Sequence, residues 1–241
     1  MLSIYETGEY HDLNPQWHVE DSAWKALQVL KMLDKHDLRP STVAEAGCGA
    51  GEILRQLQLA LPQETRFSGY DVSPQAIDHA RGRENAGLKF YLEDLAAQDV
   101  YFDLLLVIDV FEHVDDYLGF LRRLASKATQ MIFHIPLDLS AQTVFREQSL
   151  LKTRREVGHL HYFTEGTALA TLQDTGYEID DYFFTARAVE LRGGGAARTL
   201  ARLPRRLVAM LSPGLASKVL GGFSLLVLAR PKSLSAAASR D

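Results

Sequence analysis

The chain has one cysteine, Cys48, in 241 residues. A lone thiol permits no internal disulfide and no thiolate metal cage, and it fits a reducing, intracellular setting. Long apolar runs are missing too. The longest nearly apolar stretch, 219–229, spans 11 residues and includes two glycines and a serine, whereas a bilayer crossing needs about 20. The first Lys or Arg is Lys25, so the basic opening of a secretory signal is absent. A soluble, cytoplasmic protein is expected. There is no excess of positive charge: 26 Lys and Arg face 31 Asp and Glu, for a net charge of -5. That balance argues against a nucleic-acid partner held by counterion release. At 46% hydrophobic and 24% charged, the composition excludes a collagenous or wholly disordered chain.

Acidic residues vanish from one region. Between 191 and 240 there are none, against nine basic residues. No internal repeat is visible. The first 20 residues have neither helical nor strand period, yet they carry Tyr5, Tyr10, His11, Trp17 and His18. A helix comes next, with Ala23, Leu27, Leu30 and Leu33 as its apolar stripe and Asp21 or Ser22 as cap. Strand signals at 42–46, 66–70, 88–92, 102–108 and 130–135 then alternate with helix signals at 50–60, 74–83, 115–127 and 164–175. The run Leu104–Ile108 is apolar throughout, as a strand covered on both faces must be. Such alternation predicts an α/β fold with a parallel sheet and right-handed crossovers. After Gly176 the pattern changes: 177–191 and 222–230 read as strands that pair antiparallel at the sheet edge. The expected organisation is an aromatic lid and helix at 1–36 and a main domain at 37–232. A basic helical insertion occupies 192–221, and 233–241 is read as a disordered tail.

The segment 43–52, VAEAGCGAGE, succeeds a strand and opens a helix. Gly47, Gly49 and Gly51 allow a tight turn and a ligand lying against the main chain. Such a turn is common at strand-to-helix corners, and acidic residues farther along the chain make this one informative. Asp71 ends the second strand 20 residues beyond Gly51, where a carboxylate can accept both hydroxyls of a ribose. Ser73 and Pro74 read as N-cap and first helical residue. A nicotinamide dinucleotide would suit the same arrangement. Three features favour another ligand. Glu45 precedes the glycines, where a carboxylate suits an amino group better than a pyrophosphate. The spacing is Gly-x-Gly-x-Gly rather than Gly-x-Gly-x-x-Gly. Glu93 and Asp94 close the third strand within reach of an adenine amine.

Together these residues resemble the class I, Rossmann-like S-adenosylmethionine-dependent methyltransferases over roughly 42–190 plus the final strand. EAGCGAG is similar to that family's first motif, GYDVS to its ribose motif and LEDLA to its adenine motif. FDLLLVIDVFEHVDD resembles the fourth, in the manner of small-molecule O-methyltransferases of quinone-biosynthesis type. The resemblance implies a seven-stranded, mostly parallel sheet with an antiparallel last strand and helices on both faces. It implies S-adenosyl-L-methionine as cofactor, bound by Glu45, Gly47, Cys48, Gly49, Gly51, Asp71, Val72, Asp94, Leu95 and Asp109. The implied reaction is methyl transfer, O-methylation first, to a small-molecule or lipid/glycan-linked acceptor. A catalytically idle S-adenosylmethionine-binding module and a nicotinamide-dependent oxidoreductase are the rival readings.

Transfer to a hydroxyl requires a base. His113 lies just past the fourth strand, at its functional end. His159 and His161 alternate and would share one face of an extended segment, and in similar proteins the preceding loop overhangs the acceptor pocket. These three are the catalytic candidates; His18 is a lid candidate, and His134 within its strand reads as a core residue. His159 and His161 could join His113 or Asp109 around a metal, but no spacing is diagnostic, and no metal is expected. Cys48 reads as a small filler. In the insertion, Leu200, Leu203, Leu207, Val208 and Leu211 form an apolar stripe beside Arg198, Arg202, Arg205 and Arg206. A helix within 196–217 would dock on its own domain, or alternatively make peripheral contact with an anionic membrane at its inner face.

Overall fold

The computed structural model describes Asn14, Trp17, residues 19–186, Val208 and residues 211–232. His18, the aromatic residues at 5–11, most of the basic insertion and the tail at 233–241 lie outside the described residues. Seven strands form one sheet: β1 (Thr42–Ala46), β2 (Arg66–Asp71), β3 (Leu88–Leu92), β4 (Phe102–Ile108), β5 (Ala128–Leu137), β6 (Tyr177–Thr185) and β7 (Phe223–Pro231). Their spatial order is β3-β2-β1-β4-β5-β7-β6. The pairs among β1 to β5 are parallel, and β7 runs antiparallel to both β5 and β6. The expected fold class is therefore the observed one, with the β6–β7 pair at the edge.

The described helices are α1 (Val19–Lys35), α2 (Glu52–Ala60), α3 (Pro74–Arg81), α4 (Tyr117–Leu124), α5 (Ala141–Phe145), α6 (Glu147–Glu156), α7 (Glu165–Asp174) and α8 (Pro213–Leu220). None is long and apolar enough to cross a membrane. Several begin where side-chain caps dictate. Ser73 accepts from Ala76 N ahead of Pro74, Asp116 accepts from Gly119 N, and Thr164 forms a capping box with Thr167.

β4 explains the two-sided core. Leu104, Leu106 and Ile108 pack into one cluster with Val29, Met32 and Leu33 of α1, Leu54 and Leu57 of α2 and Ile77 of α3. Leu105 and Val107 face the other way, into a cluster with Leu121 of α4, Phe133 of β5 and Leu172 of α7. Alternate residues of one strand thus serve opposite layers.

Three expectations need correction. α1 begins before the expected cap, and its buried face is rotated: Ala23 is exposed and Leu27 is 50% exposed, while Trp24, Ala26, Val29 and Met32 are buried. The apolar arc of this helix is wide, and Lys25, one turn before Val29, is drawn to the sheet edge by Asp109. α5 and α6 fill a region read as loop, and neither buries a residue, so no apolar stripe announces them. Of the insertion stripe, Val208 packs against the core, whereas Leu211 is 89% exposed. The described helix there starts at Pro213, capped by Ser212.

The strand order reverses between β1 and β4, which opens a crevice at their carboxyl ends, the place where open α/β sheets bind ligands. The glycine turn borders it. Gly51 has φ +76°, and a Cβ there would lie 2.3 Å from the Phe90 ring. Gly51→Ala is expected to cost about 2–4 kcal/mol, from left-handed backbone strain and overpacking. Urea unfolding would measure it.

Candidate active site

One large cavity, of about 930 Å3, runs along the carboxyl edge from the glycine turn to the segment after α6. Its cofactor-side wall includes Glu45, Gly47, Cys48, Gly49, Asp71, Val72, Asp94, Leu95 and Asp109; Gly51 supports the turn from outside the wall. The turn hangs on β2, since Gly47 N and Cys48 N both donate to the Tyr70 carbonyl, at 2.8 and 3.0 Å. Gly47 has φ +70°, and a Cβ on it would come within 2.7 Å of Val110. Cys48 is buried, and that burial pushes its thiol pKa well up. It is a packing residue rather than a nucleophile.

Four carboxylates converge on this edge, each in a different setting. Asp71 binds backbone: its Oδ2 accepts from Gly49 N and its Oδ1 from Ser73 N, both at 2.8 Å. Burial raises its pKa, and these amides work against the rise. Asp94 caps the short turn Leu95–Ala97, accepting from Ala96 N at 3.0 Å. Glu45, in the middle of the sheet beside Gly69 and Leu106, is 1% exposed. Its Oε2 is buried with no hydrogen-bond partner, and burial pushes its pKa well above the ordinary value.

Asp109 comes directly after β4 in a left-handed conformation, φ 54°. Its Oδ2 meets Lys25 Nζ at 2.7 Å, and its Oδ1 meets His134 Nδ1 at 2.6 Å. His134 Nε2 continues to the Thr185 hydroxyl at 2.9 Å, so His134 is a fully engaged interior residue. Burial alone would raise the Asp109 pKa, but His134 and Lys25 outweigh it and hold the carboxyl far below its usual range. Lys25 shows the counterpart: burial would lower its pKa, and Asp109, with Asp21 and Glu112 behind it, holds it above the ordinary value.

The far wall carries the histidines. Leu160 N and His161 N both donate to the Glu112 carbonyl, at 2.8 and 3.1 Å. The segment after α6 is thereby pinned to the short turn Phe111–His113. His113 Nδ1 contacts the Gly158 carbonyl at 3.1 Å, and His159 Nδ1 contacts Asp138 Oδ2 at 2.5 Å. Their rings lie edge to face with centroids 4.8 Å apart. Burial, with His159 close by, lowers the His113 pKa to about 4. The structure brings His113 and His159 together in the cavity wall and leaves His161 outside it. His161 Nε2 binds the Val114 carbonyl at 3.0 Å, and its ring packs on Tyr117. The two alternate histidines do not share a face because this segment is no regular strand.

A family model described as a methyltransferase domain matches residues 18–182. The chain belongs to the methyltransferase domain family. Similar solved structures include magnesium protoporphyrin IX methyltransferase from Synechocystis PCC 6803 with bound SAH. It is 18% identical, with a TM-score of 0.59 over 88% of this chain and 83% of that one. N-methyltransferase NodS from Bradyrhizobium japonicum WM9, in complex with S-adenosyl-L-homocysteine, is 17% identical. Its TM-score is 0.58 over 92% of this chain and 97% of that one. At such identities the likeness is one of fold, that of the class I S-adenosylmethionine-dependent methyltransferases. Ajmaline N-methyltransferase from Rauvolfia serpentina is 31% identical over 139 residues, 52% of this chain. The match spans about half, 46%, of that relative's length.

In this methyltransferase domain, three residues of the site are not marked by the sequence. Lys25 stands out there only as the first cation, although no other Lys or Arg precedes Lys31. Glu112 lies inside the fourth motif without a signal of its own, and Asp138 lies in a turn without pattern. Nothing local marks Lys25 or Asp138, because their partners are distant in sequence. Lys25→Met would leave the partly buried Asp109 with one partner fewer, at an expected cost of about 1–3 kcal/mol at neutral pH. A carboxylate with a depressed folded pKa stabilises above its unfolded pKa, and that contribution fades as pH falls. The deficit of Lys25→Met should therefore be full near pH 7 and shrink below about pH 3.9. Urea titrations of both proteins at the two pH values provide the check.

Proposed function

We propose that this chain transfers the methyl group of S-adenosylmethionine to a heteroatom, oxygen first, of a small-molecule or lipid/glycan-linked acceptor. The observation that carries the reading is Glu45: a buried carboxylate with an unpartnered oxygen in the cavity wall, two residues before the glycine turn. An uncompensated buried carboxylate is costly, and a cationic ammonium group relieves it. The donor set also fits the rest of the cofactor. Asp71 spends one lone pair of each oxygen on a backbone amide and keeps acceptor capacity for ribose hydroxyls. Asp94 and Leu95 border the adenine end, and glycine main chain lies where a side chain would obstruct.

When bound, the cofactor supplies an electrophilic sulfonium methyl. The contribution of the chain is alignment and exclusion of water, which account for much of the acceleration in such displacements. Asp109 is saturated by Lys25 and His134, so it shapes the wall instead of exchanging protons. His113 and His159 are the groups placed to take a hydroxyl proton. Their Nδ1 atoms face a carbonyl and a carboxylate, so Nε2 is the atom of each ring that would take the proton. Arg123 and Arg154 also line the cavity, a pair of cations suited to an acceptor bearing a phosphate or carboxylate. A nitrogen acceptor is the second reading, favoured by the names of two similar proteins, ajmaline N-methyltransferase and N-methyltransferase NodS.

Calorimetry with S-adenosylmethionine tests the cofactor assignment. Asp71→Ala and Glu45→Gln should each weaken binding by about 1–3 kcal/mol. A cation beside Glu45 lowers a pKa that burial holds high, so binding should expel a proton. Affinity should then rise with pH above the ordinary carboxylate range, and Glu45→Gln should abolish that dependence. Unchanged affinity in both variants would sink the assignment. Methyl incorporation into oxygen and nitrogen acceptors, with and without an anionic group, separates transfer from idle binding.

A further inference from the structure

We propose that Glu112, His113 and His159 form a binding site for one divalent first-row transition-metal ion, open toward the acceptor end of the cavity. One donor atom from each lies within 4.8 Å of the others. Glu112 is fully buried, and neither of its carboxylate oxygens has a hydrogen-bond partner. A buried carboxylate with both oxygens unmatched needs a cation or a proton beside it.

The histidines are arranged as metal-bound imidazoles usually are. Such rings give their other N–H to a carboxylate or a backbone carbonyl, which sets the tautomer and raises ligand basicity. His159 makes that contact with Asp138, and His113 makes it with the Gly158 carbonyl. With Nδ1 as donor, the neutral form of each ring carries its lone pair on Nε2, and His113 Nε2 lies 3.9 Å from Glu112 Oε1. Donors about a small metal ion, with bonds of about 2.0–2.1 Å, sit roughly 3.3 Å apart. Side-chain rotation has to close the His113–Glu112 pair by somewhat more than half an ångström and the most widely spaced pair, within 4.8 Å, by up to about 1.5 Å. The main chain already holds the ligands together, because the Glu112 carbonyl accepts from Leu160 N and His161 N, the two residues after His159.

Two imidazoles and one carboxylate suit zinc, iron(II), cobalt or nickel better than magnesium or calcium. Three protein ligands leave coordination positions open, as catalytic sites do. His113 and His159 line the cavity, so those positions face the acceptor end. With a metal bound, the histidine lone pairs serve as ligands and no longer accept a proton; an acceptor oxygen on the metal would instead lose its proton more readily to water, a consequence that rests on the methyl-transfer reading, whereas metal binding does not. The ligand set also differs from one using His161, whose ring is committed to Val114.

The test uses the full chain stripped with a chelator and titrated with zinc(II), with cobalt(II) as spectroscopic probe. One ion per chain should bind, and cobalt should give visible bands of a low-coordinate imidazole site. Glu112→Gln and His159→Asn should each weaken binding about tenfold or more, and Asp138→Asn, outside the ligand set, about 10–100-fold. Glu112→Gln conserves shape and removes a buried charge, so circular dichroism should report a folded protein. Absence of saturable binding, or equal affinity in wild type and all three variants, would overturn the site. S-adenosylmethionine calorimetry on the stripped wild type reports separately on the cofactor assignment, so failure of either proposal is recognisable.

Discussion

The carboxyl edge of the sheet buries negative charge, and the arrangement of the site depends on how that charge is answered. Glu45, Asp71, Asp109 and Glu112 occupy the ends of β1, β2 and β4 or the turn beyond. A buried carboxylate left alone costs several kcal/mol. Asp71 is met by backbone amides, and Asp109 by Lys25 and His134. Glu45 and Glu112 keep buried oxygens without a partner. The first two interactions hold the architecture together; the other two mark where a cationic ligand gains most.

Lys25 ties this electrostatic pattern to the packing. Its helix lies on the face formed by Leu104, Leu106 and Ile108, and its ammonium reaches over the strand end to Asp109. The same contact rotates α1, burying Met32 and Val29 and leaving Leu27 outside. On the far side, the two amides donated to the Glu112 carbonyl bring the segment after α6 against the end of β4. A single turn thereby positions His113 and draws His159 beside it, and the cavity acquires a second, histidine-bearing wall.

Much of the fold is legible in the sequence because it rests on local pattern. The strand signals of β1, β3 and β4 match the structure to the residue, since apolar runs bounded by Gly, Asp or Pro end where the ladder ends. Ser73–Pro74 and Thr164 announce their helices through capping chemistry. The change of pattern after Gly176 points to the β6–β7 pair. α5 and α6 are not legible, because surface helices without a buried stripe carry no period. His161 is misplaced for a related reason: alternation implies a shared face only within a regular strand.

Alone, the sequence determined the alternation of strands and helices, the glycine turn and the carboxylates at strand ends, because periodicity, backbone freedom and capping act over a few residues. Tertiary structure decided which carboxylates would be satisfied. Lys25 and Asp109, His134 and Thr185, and His159 and Asp138 are all far apart along the chain. Their pairing depends on the burial and crossover geometry that brings distant elements to one edge, and no local pattern encodes that.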